Sequence, residues 1–291
     1  MKQSPDPGFF SAAGRHNLRC VKFAICNEIF QGWTLPDTFA FARKAGYDAV
    51  EIAPFTLARS VTDIPASRRA EIRAMAEEAG MSISAIHWVL VQTEGLHVTS
   101  PDPLVRNRTA RYFVDLVDFG SDIGAPSMVV GSPKQRNLLP GVSPSQGWEW
   151  AAEVFGPAVR RAAERGFTLC FEPLAPAETN FINTASEARR FADLFASPAM
   201  SIILDVKAMS SEPTSVPDVI RASKGRFGYF HANDSNLKGP GFGDVDFRPI
   251  VSALGDVGYD GTVSVEVFRF EEGPEAIATR SREYLRSVFG K

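Results

Sequence analysis

Four residues in the second half of this chain occupy equivalent positions and could together hold a divalent cation. Glu172 follows the apolar run GFTLCF, Asp205 ends SIILD, His231 ends FGYFH and Glu266 ends TVSVE. Each is a metal-capable side chain at the end of an apolar run of strand length, followed by a loop and a helical pattern. Three carboxylates and one imidazole give oxygen-rich ligation with one nitrogen. That set suits Mn, Mg, Co or Zn and excludes soft thiolate chemistry. A lone glutamate at a strand end is more often a solvated or cap-pairing residue, and a lone histidine a satisfied hydrogen-bonding group. Four strand ends of one kind in succession shift the balance to a metal site.

Further residues attach to the same positions. Pro173 stops the ladder after Glu172, and Glu178 follows six residues on, in a loop that leads to Thr184, a plausible N-cap. Glu51 and His87 end the second and third strand patterns and are expected to face the same site and touch substrate. Glu28 reads as a loop residue. Trp33 and Trp88 read as core, with an apolar pocket wall as the alternative. Lys134 and Arg136, in the GSPKQRN loop, read as a solvated basic loop, with an anion holder as the alternative. The run GPGFGD lacks the Lys-Ser/Thr of a nucleotide loop and reads as a mobile loop on the substrate side.

The elements that must position these residues alternate strictly. Strands are predicted over 21–26, 48–52, 82–89 and 127–130, then four more ending at Glu172, Asp205, His231 and Glu266. Helices are predicted over 34–45, 66–79, 103–123, 145–165, 184–195, 216–224, 247–254 and 274–288. Eight strand–helix units with no linker between them imply a parallel sheet. They match a closed (β/α)8 TIM barrel, typically about 250 residues long. A doubly wound open sheet is the alternative, but CNEIFQG, not a Gly-rich fingerprint, follows the first strand. In a barrel the C-terminal strand ends converge on one mouth, so the four candidate ligands would meet in space. The expected organisation is an N-terminal arm over 1–20 and one barrel domain over 21–291.

Composition narrows the class. The chain has 291 residues, 44% of them hydrophobic, and a net charge of -3 with no long run of one sign. This leaves no electrostatic footprint for nucleic acid or acidic membranes. No apolar run reaches membrane-spanning length. Three sparse cysteines, Cys20, Cys26 and Cys170, suggest free thiols in a reducing compartment. The polar N-terminus lacks the apolar core of a signal peptide, so a cytoplasmic location is expected.

On these residues the chain resembles the sugar isomerase/epimerase family with the xylose isomerase-like TIM barrel. That family includes ketose 3-epimerases, hydroxypyruvate isomerases, inosose dehydratases and, more distantly, endonuclease IV. The resemblance runs from residue 21 to about residue 288 and rests on FEPL…ETNFINT, LDVKAM, FHANDSN…GPGFGDVDF and VSVEVF. It implies a metal held by Glu172, Asp205, His231 and Glu266, with Glu172 and Glu266 also moving the proton and Glu178 touching substrate. Two positions depart from the pattern. The family's D-x-x-H-M reads Asp205-Val206-Lys207-Ala208-Met209 here, which makes Lys207 the candidate substrate contact in place of the histidine. An arginine six residues after the His ligand is replaced by Leu237, with Lys238 beside it.

The expected function is a divalent-metal-dependent sugar isomerase or epimerase. It would act on a small polyhydroxy carbonyl substrate by proton transfer through an enediolate. Manganese is the first choice of cofactor, with magnesium, cobalt or zinc as alternatives. The cation would act as a Lewis acid on the carbonyl and its neighbouring hydroxyl, while one glutamate takes the proton and the other returns one. A metal-dependent lyase or dehydratase on a keto-sugar or inosose would use the same site. An endonuclease IV-like phosphodiesterase needs more histidines and a basic surface. A non-catalytic sugar-binding barrel has no need to gather three carboxylates. The expected partner is a small-molecule carbohydrate, without nucleic acid or membrane, and a homo-oligomer is left open.

Overall fold

The structure is a computed structural model and describes residues 18–290. The arm expected over 1–20 lies outside the described residues as far as residue 17. Eight strands, β1 Lys22–Cys26, β2 Ala49–Ile52, β3 Ser82–Ile86, β4 Ser127–Val130, β5 Thr168–Phe171, β6 Met200–Asp205, β7 Phe227–Ala232 and β8 Thr262–Val265, pair in parallel and in sequence order. β8 closes on β1 through Lys22 opposite Thr262 and Ile25 opposite Val265. The helices are α1 Leu35–Ala45, α2 Ala66–Glu78, α3 Pro103–Asp122, α4 Pro144–Arg165, α5 Ala185–Asp193, α6 Val206–Met209, α7 Val216–Ala222, α8 Phe247–Val257 and α9 Pro274–Phe289. This is the (β/α)8 barrel the alternation predicts. Among the described residues no helix is long and apolar enough to cross a membrane.

Local chemistry sets the element ends. Thr34 accepts from the Asp37 amide at the start of α1, and Gly46 ends it in the left-handed region at φ 93°, where a Cβ would be penalised. Thr184 and Glu187 form a reciprocal capping box on α5. The third strand stops at Ile86, earlier than its apolar pattern suggests, so His87 lies just beyond it. The short helix α6 is not apparent in the apolar pattern. Its N-cap is Asp205 itself, whose Oδ1 accepts from the Ala208 amide at 2.7 Å.

The period of two along each strand decides what reaches the barrel interior. Ala85, Val129, Cys170, Ile203 and Tyr229 form a separate buried cluster inside the barrel. Their successors Ile86, Val130, Phe171, Leu204 and Phe230 belong to the larger core between sheet and helices. There Phe171 packs against Phe191 at 4.9 Å and Phe155 at 5.8 Å between ring centroids. Burying such a ring contributes roughly 1.5–3 kcal/mol. One step further along, the inward positions include Gly131, Glu172, Asp205 and His231. The apolar plug inside the barrel is therefore the floor on which the polar residues of the mouth stand.

Candidate metal centre and active site

Register brings the four candidate ligands together. Asp205 pairs directly with His231, and His231 pairs with Ser264, two residues before Glu266. Glu172 follows β5 with its amide bonded to the Val130 carbonyl. The donor atoms of Glu172, Asp205, His231 and Glu266 all lie within 4.8 Å of one another, and all four residues are buried. Gly131, at the end of β4, makes this approach feasible, since a Cβ there would collide with Glu172 Oε2.

The hydrogen bonds around the cluster aim it at one point. His231 Nε2 lies 3.1 Å from both oxygens of Glu51, so it donates to that carboxylate and leaves Nδ1 facing the cluster. A histidine oriented from behind by a carboxylate is the usual arrangement of a metal-ligating imidazole. Nδ1 approaches Glu266 Oε2 to 3.1 Å, yet both atoms are buried without a well-aligned hydrogen bond. Asn233 donates to Asp205 Oδ2 at 2.5 Å and accepts from the Lys207 amide at 2.8 Å, fixing the ligand and the start of α6 together. The Trp88 indole N–H donates to Glu266 Oε1 at 2.8 Å.

The electrostatics also fit a cation. Burial, then the charges of Glu266 and Asp205, push the Glu172 carboxyl up to about 8. Burial also raises Asp205. For His231 burial works the other way, but Glu266 and Glu51 raise its pKa well above the ordinary value. Three carboxylates crowded at one buried point repel one another, and a divalent ion relieves that repulsion. Cys26 lies near Glu28, His87 and Glu51 but burial holds its thiol well above the usual range, so it offers no thiolate.

Above the ligands lies a cavity of about 300 Å³ lined by Glu172, Glu266, Glu178, Lys207, Trp88 and Phe268 among others. Lys207 Nζ lies 2.8 Å from Glu178 Oε1 and 4.0 Å from the centre of the Phe268 ring. Burial disfavours its charge, but Asp205 and Glu172 raise its pKa, so it stays an ammonium. The structure thus brings together Glu172, Asp205, His231, Glu266, Glu178 and Lys207. Leu237 and Lys238, at the position of the missing arginine, do not line this cavity, and Lys238 pairs with Glu272.

Several expectations are corrected. Glu51 and His87 do not face the cavity as substrate contacts. Both are fully buried one layer below, with Glu51 behind His231 and His87 Nε2 2.9 Å from Glu28 Oε2. The charges of His231 and His87 overcome burial and hold Glu51 at about 2. Arg136 is not solvated: it is 2% exposed, lies 4.8 Å over the Phe171 ring and donates to the Glu172 carbonyl at 2.6 Å. It braces the ligand strand from outside. The GPGFGD loop packs on its surroundings, with Gly241 against Tyr284 and the Phe242 ring under Arg280, and does not line the ligand cavity. Sequence reasoning missed the roles of Trp88, Asn233 and Gly131. Gly131 and Asn233 could be suspected from their places at the ends of β4 and β7, whereas nothing local signals the aim of the Trp88 indole.

Comparison with known proteins agrees with the fold. Residues 39–288 match the family described as xylose isomerase-like TIM barrel. The chain is 27% identical over 227 residues to a D-psicose 3-epimerase of Ruminiclostridium cellulolyticum, covering 77% of this chain and 75% of that one. It is 27% identical over 248 residues to an L-ribulose 3-epimerase of Mesorhizobium japonicum, covering 85% and 80%. A crystal structure of a D-psicose 3-epimerase in the presence of D-fructose superposes with a TM-score of 0.79 at 21% identity, over 93% of this chain and 100% of that one.

Proposed function

Because this chain belongs to the xylose isomerase-like TIM barrel family, we propose that it is a divalent-metal-dependent sugar isomerase or epimerase. It moves a proton on the carbon beside a ketose carbonyl. The observation that carries this reading is the convergence of Glu172, Asp205, His231 and Glu266 on one buried point. Glu172, Asp205, His231 and Glu266 would hold a divalent cation, which would supply Lewis-acid polarisation of the substrate carbonyl. Glu172 and Glu266 follow β5 and β8, which are not neighbours in the barrel, so they approach a substrate from different sides. One carboxylate takes the C–H proton, and the other returns a proton to the opposite face, which inverts that carbon. Lys207 places a permanent positive charge beside the oxygens on which negative charge develops. Glu178 and Lys207 bind substrate hydroxyls, and Phe268 supplies an apolar wall. A volume of about 300 Å³ suits a single sugar unit.

Manganese is the cation we assign first, ahead of magnesium, cobalt and zinc. The same reading takes the barrel as one domain over 21–291 after a short arm. It assigns the chain to cytoplasmic carbohydrate metabolism without a nucleic-acid partner, and it accommodates a homo-oligomer.

The test is a panel of carbonyl sugars with added manganese in deuterated water. Deuterium at the carbon next to the carbonyl, together with an epimer or isomer, is the expected result. Deuterated elimination products would move the reading to a lyase, and no incorporation from any sugar would sink proton transfer. Glu266→Gln is expected to keep part of its metal, lose roughly 10²-fold in turnover and retain exchange from one substrate epimer only. Glu172→Gln should show the opposite preference. Equal loss from both epimers, in step with metal content, would leave the two glutamates as ligands alone.

A further inference from the structure

A cavity larger than the one at the candidate ligands adjoins it. A chamber of about 980 Å³ lies beside the catalytic cavity of about 300 Å³, and the two share Trp88 and Val91 as walls. We infer that this chamber receives a second, uncharged ring of the substrate, so that the physiological substrate is a ketose bearing a glycosyl or aryl substituent. This inference rests on the sugar isomerase/epimerase reading above.

Three observations carry it. The first is the density of flat rings. Phe30, Trp33, Phe55, Trp88 and Phe270 all line the chamber. Trp88 is stacked between Phe55 at 5.8 Å and Phe268 at 6.0 Å, with Phe55 on the chamber side and Phe268 in the catalytic cavity. Flat apolar faces bind the C–H face of a sugar ring or the face of an aryl ring. The second is a buried acceptor. Glu28 lines the chamber at 3% exposure, and its Oε1 has no hydrogen-bond partner among the described residues. A carboxylate oxygen in that wall can accept a substrate hydroxyl. The third is continuity. Trp88 lines both spaces and its indole N–H donates to the catalytic Glu266 at 2.8 Å, so the chamber lies one side chain away from the proton-transfer site.

The experiment compares D-fructose with two kinds of extended ketose, using deuterium incorporation by the manganese-loaded protein. One kind is a set of glucosyl-fructose disaccharides that differ in linkage position and keep the ketose carbonyl free. The other is a set of benzyl ethers of fructose at the same positions. At least one extended ketose is expected to react with a kcat/KM about tenfold or more above that of fructose, the effect of one well-packed aromatic contact. A gain confined to the disaccharides identifies a second sugar, and a gain confined to the benzyl ethers identifies an aryl group. Trp33→Ala should lose that gain through KM, leave fructose turnover within about twofold, and be rescued by Trp33→Phe. Phe270→Ala is the second variant, should Trp33→Ala fail to fold. Exchange with fructose but no gain from any extended ketose overturns the assignment while the proton-transfer reading stands. So does equal loss on fructose and on the extended ketose in the variants. No exchange from any compound overturns both.

Discussion

At the residue scale, the departure that matters most is Lys207. It stands one residue before the position where the family pattern has a histidine, and its ammonium reaches the cavity and pairs with Glu178. Because it is a cation beside the carboxylates proposed to hold the metal, it would oppose metal binding while serving the substrate. Lys207→Met is therefore expected to tighten metal binding and yet to lower kcat/KM by roughly 10²-fold, as for loss of a donor to developing negative charge. Metal titration by calorimetry and steady-state kinetics on the same preparation separate the two effects. A variant with wild-type turnover, or one in which metal affinity and turnover fall together, would remove Lys207 from the chemistry. Glu51 carries the opposite lesson. It has the same residue type and the same strand-end position as the ligands, yet it serves one layer down as the partner that orients His231.

At the element scale, the site depends on how closely two strands approach at the mouth. β4 and β5 pair through Val130 and Phe171, and the next inward residues are Gly131 and Glu172. The glycine is required there for space, because a side chain would occupy the position of the Glu172 carboxylate. Gly131→Ala is expected to displace that carboxylate, lowering metal content by about tenfold. The barrel should melt within a few degrees of wild type when both are stripped of metal. Full metal occupancy in the variant, measured by elemental analysis, would mean that Glu172 binds from another rotamer. The same scale explains α6. Asp205 uses one oxygen to cap that helix and receives Asn233 on the other, so ligand geometry and helix start are fixed as a unit.

At the scale of the whole molecule, gathering buried charge makes the fold's stability depend on pH and metal. In the metal-free protein Glu172 is raised from 4.5 to about 8 by burial and its neighbouring carboxylates. His87 is raised from 6.5 to about 9 by Glu28 and Glu51, against the effect of burial. Both groups bind protons in the folded state that the unfolded chain has released, so stability falls as pH rises through these windows. The Glu172 contribution is lost between about 4.5 and about 8, and that of His87 between about 6.5 and about 9. Glu51, held at about 2, acts only in the acid range, where stability is lost as pH falls from 4.5. The melting temperature of chelated protein is therefore expected to decline from pH 5 to pH 8. Metal affinity should rise over the same range, by about tenfold per unit for one displaced proton, with a growing stabilisation by saturating manganese. A chelated protein whose melting temperature climbs steadily towards pH 8 would contradict this protonation scheme.

Much of this was legible along the chain. Strand and helix alternation fixes the architecture, because only a closed parallel sheet accommodates eight such units without edges. Strand-end position identifies Glu172, Asp205, His231 and Glu266 as candidates, because each closes an apolar run of strand length in the sequence. Depth within the barrel was not legible. Strands in a closed barrel tilt and stagger, so inward residues at equivalent strand ends sit at different heights. That stagger places Glu51 and His87 below the mouth, while Glu266 reaches it. Nor could the sequence show that Arg136 would be drawn under a loop by the Phe171 ring and the Glu172 carbonyl. The second chamber was equally hidden, because Phe30, Phe55, Trp88 and Phe270 come from segments after four different strands. Local pattern determines which residues point inward. Only the closed tertiary structure, through stagger and contacts between distant segments, decides which of them meet.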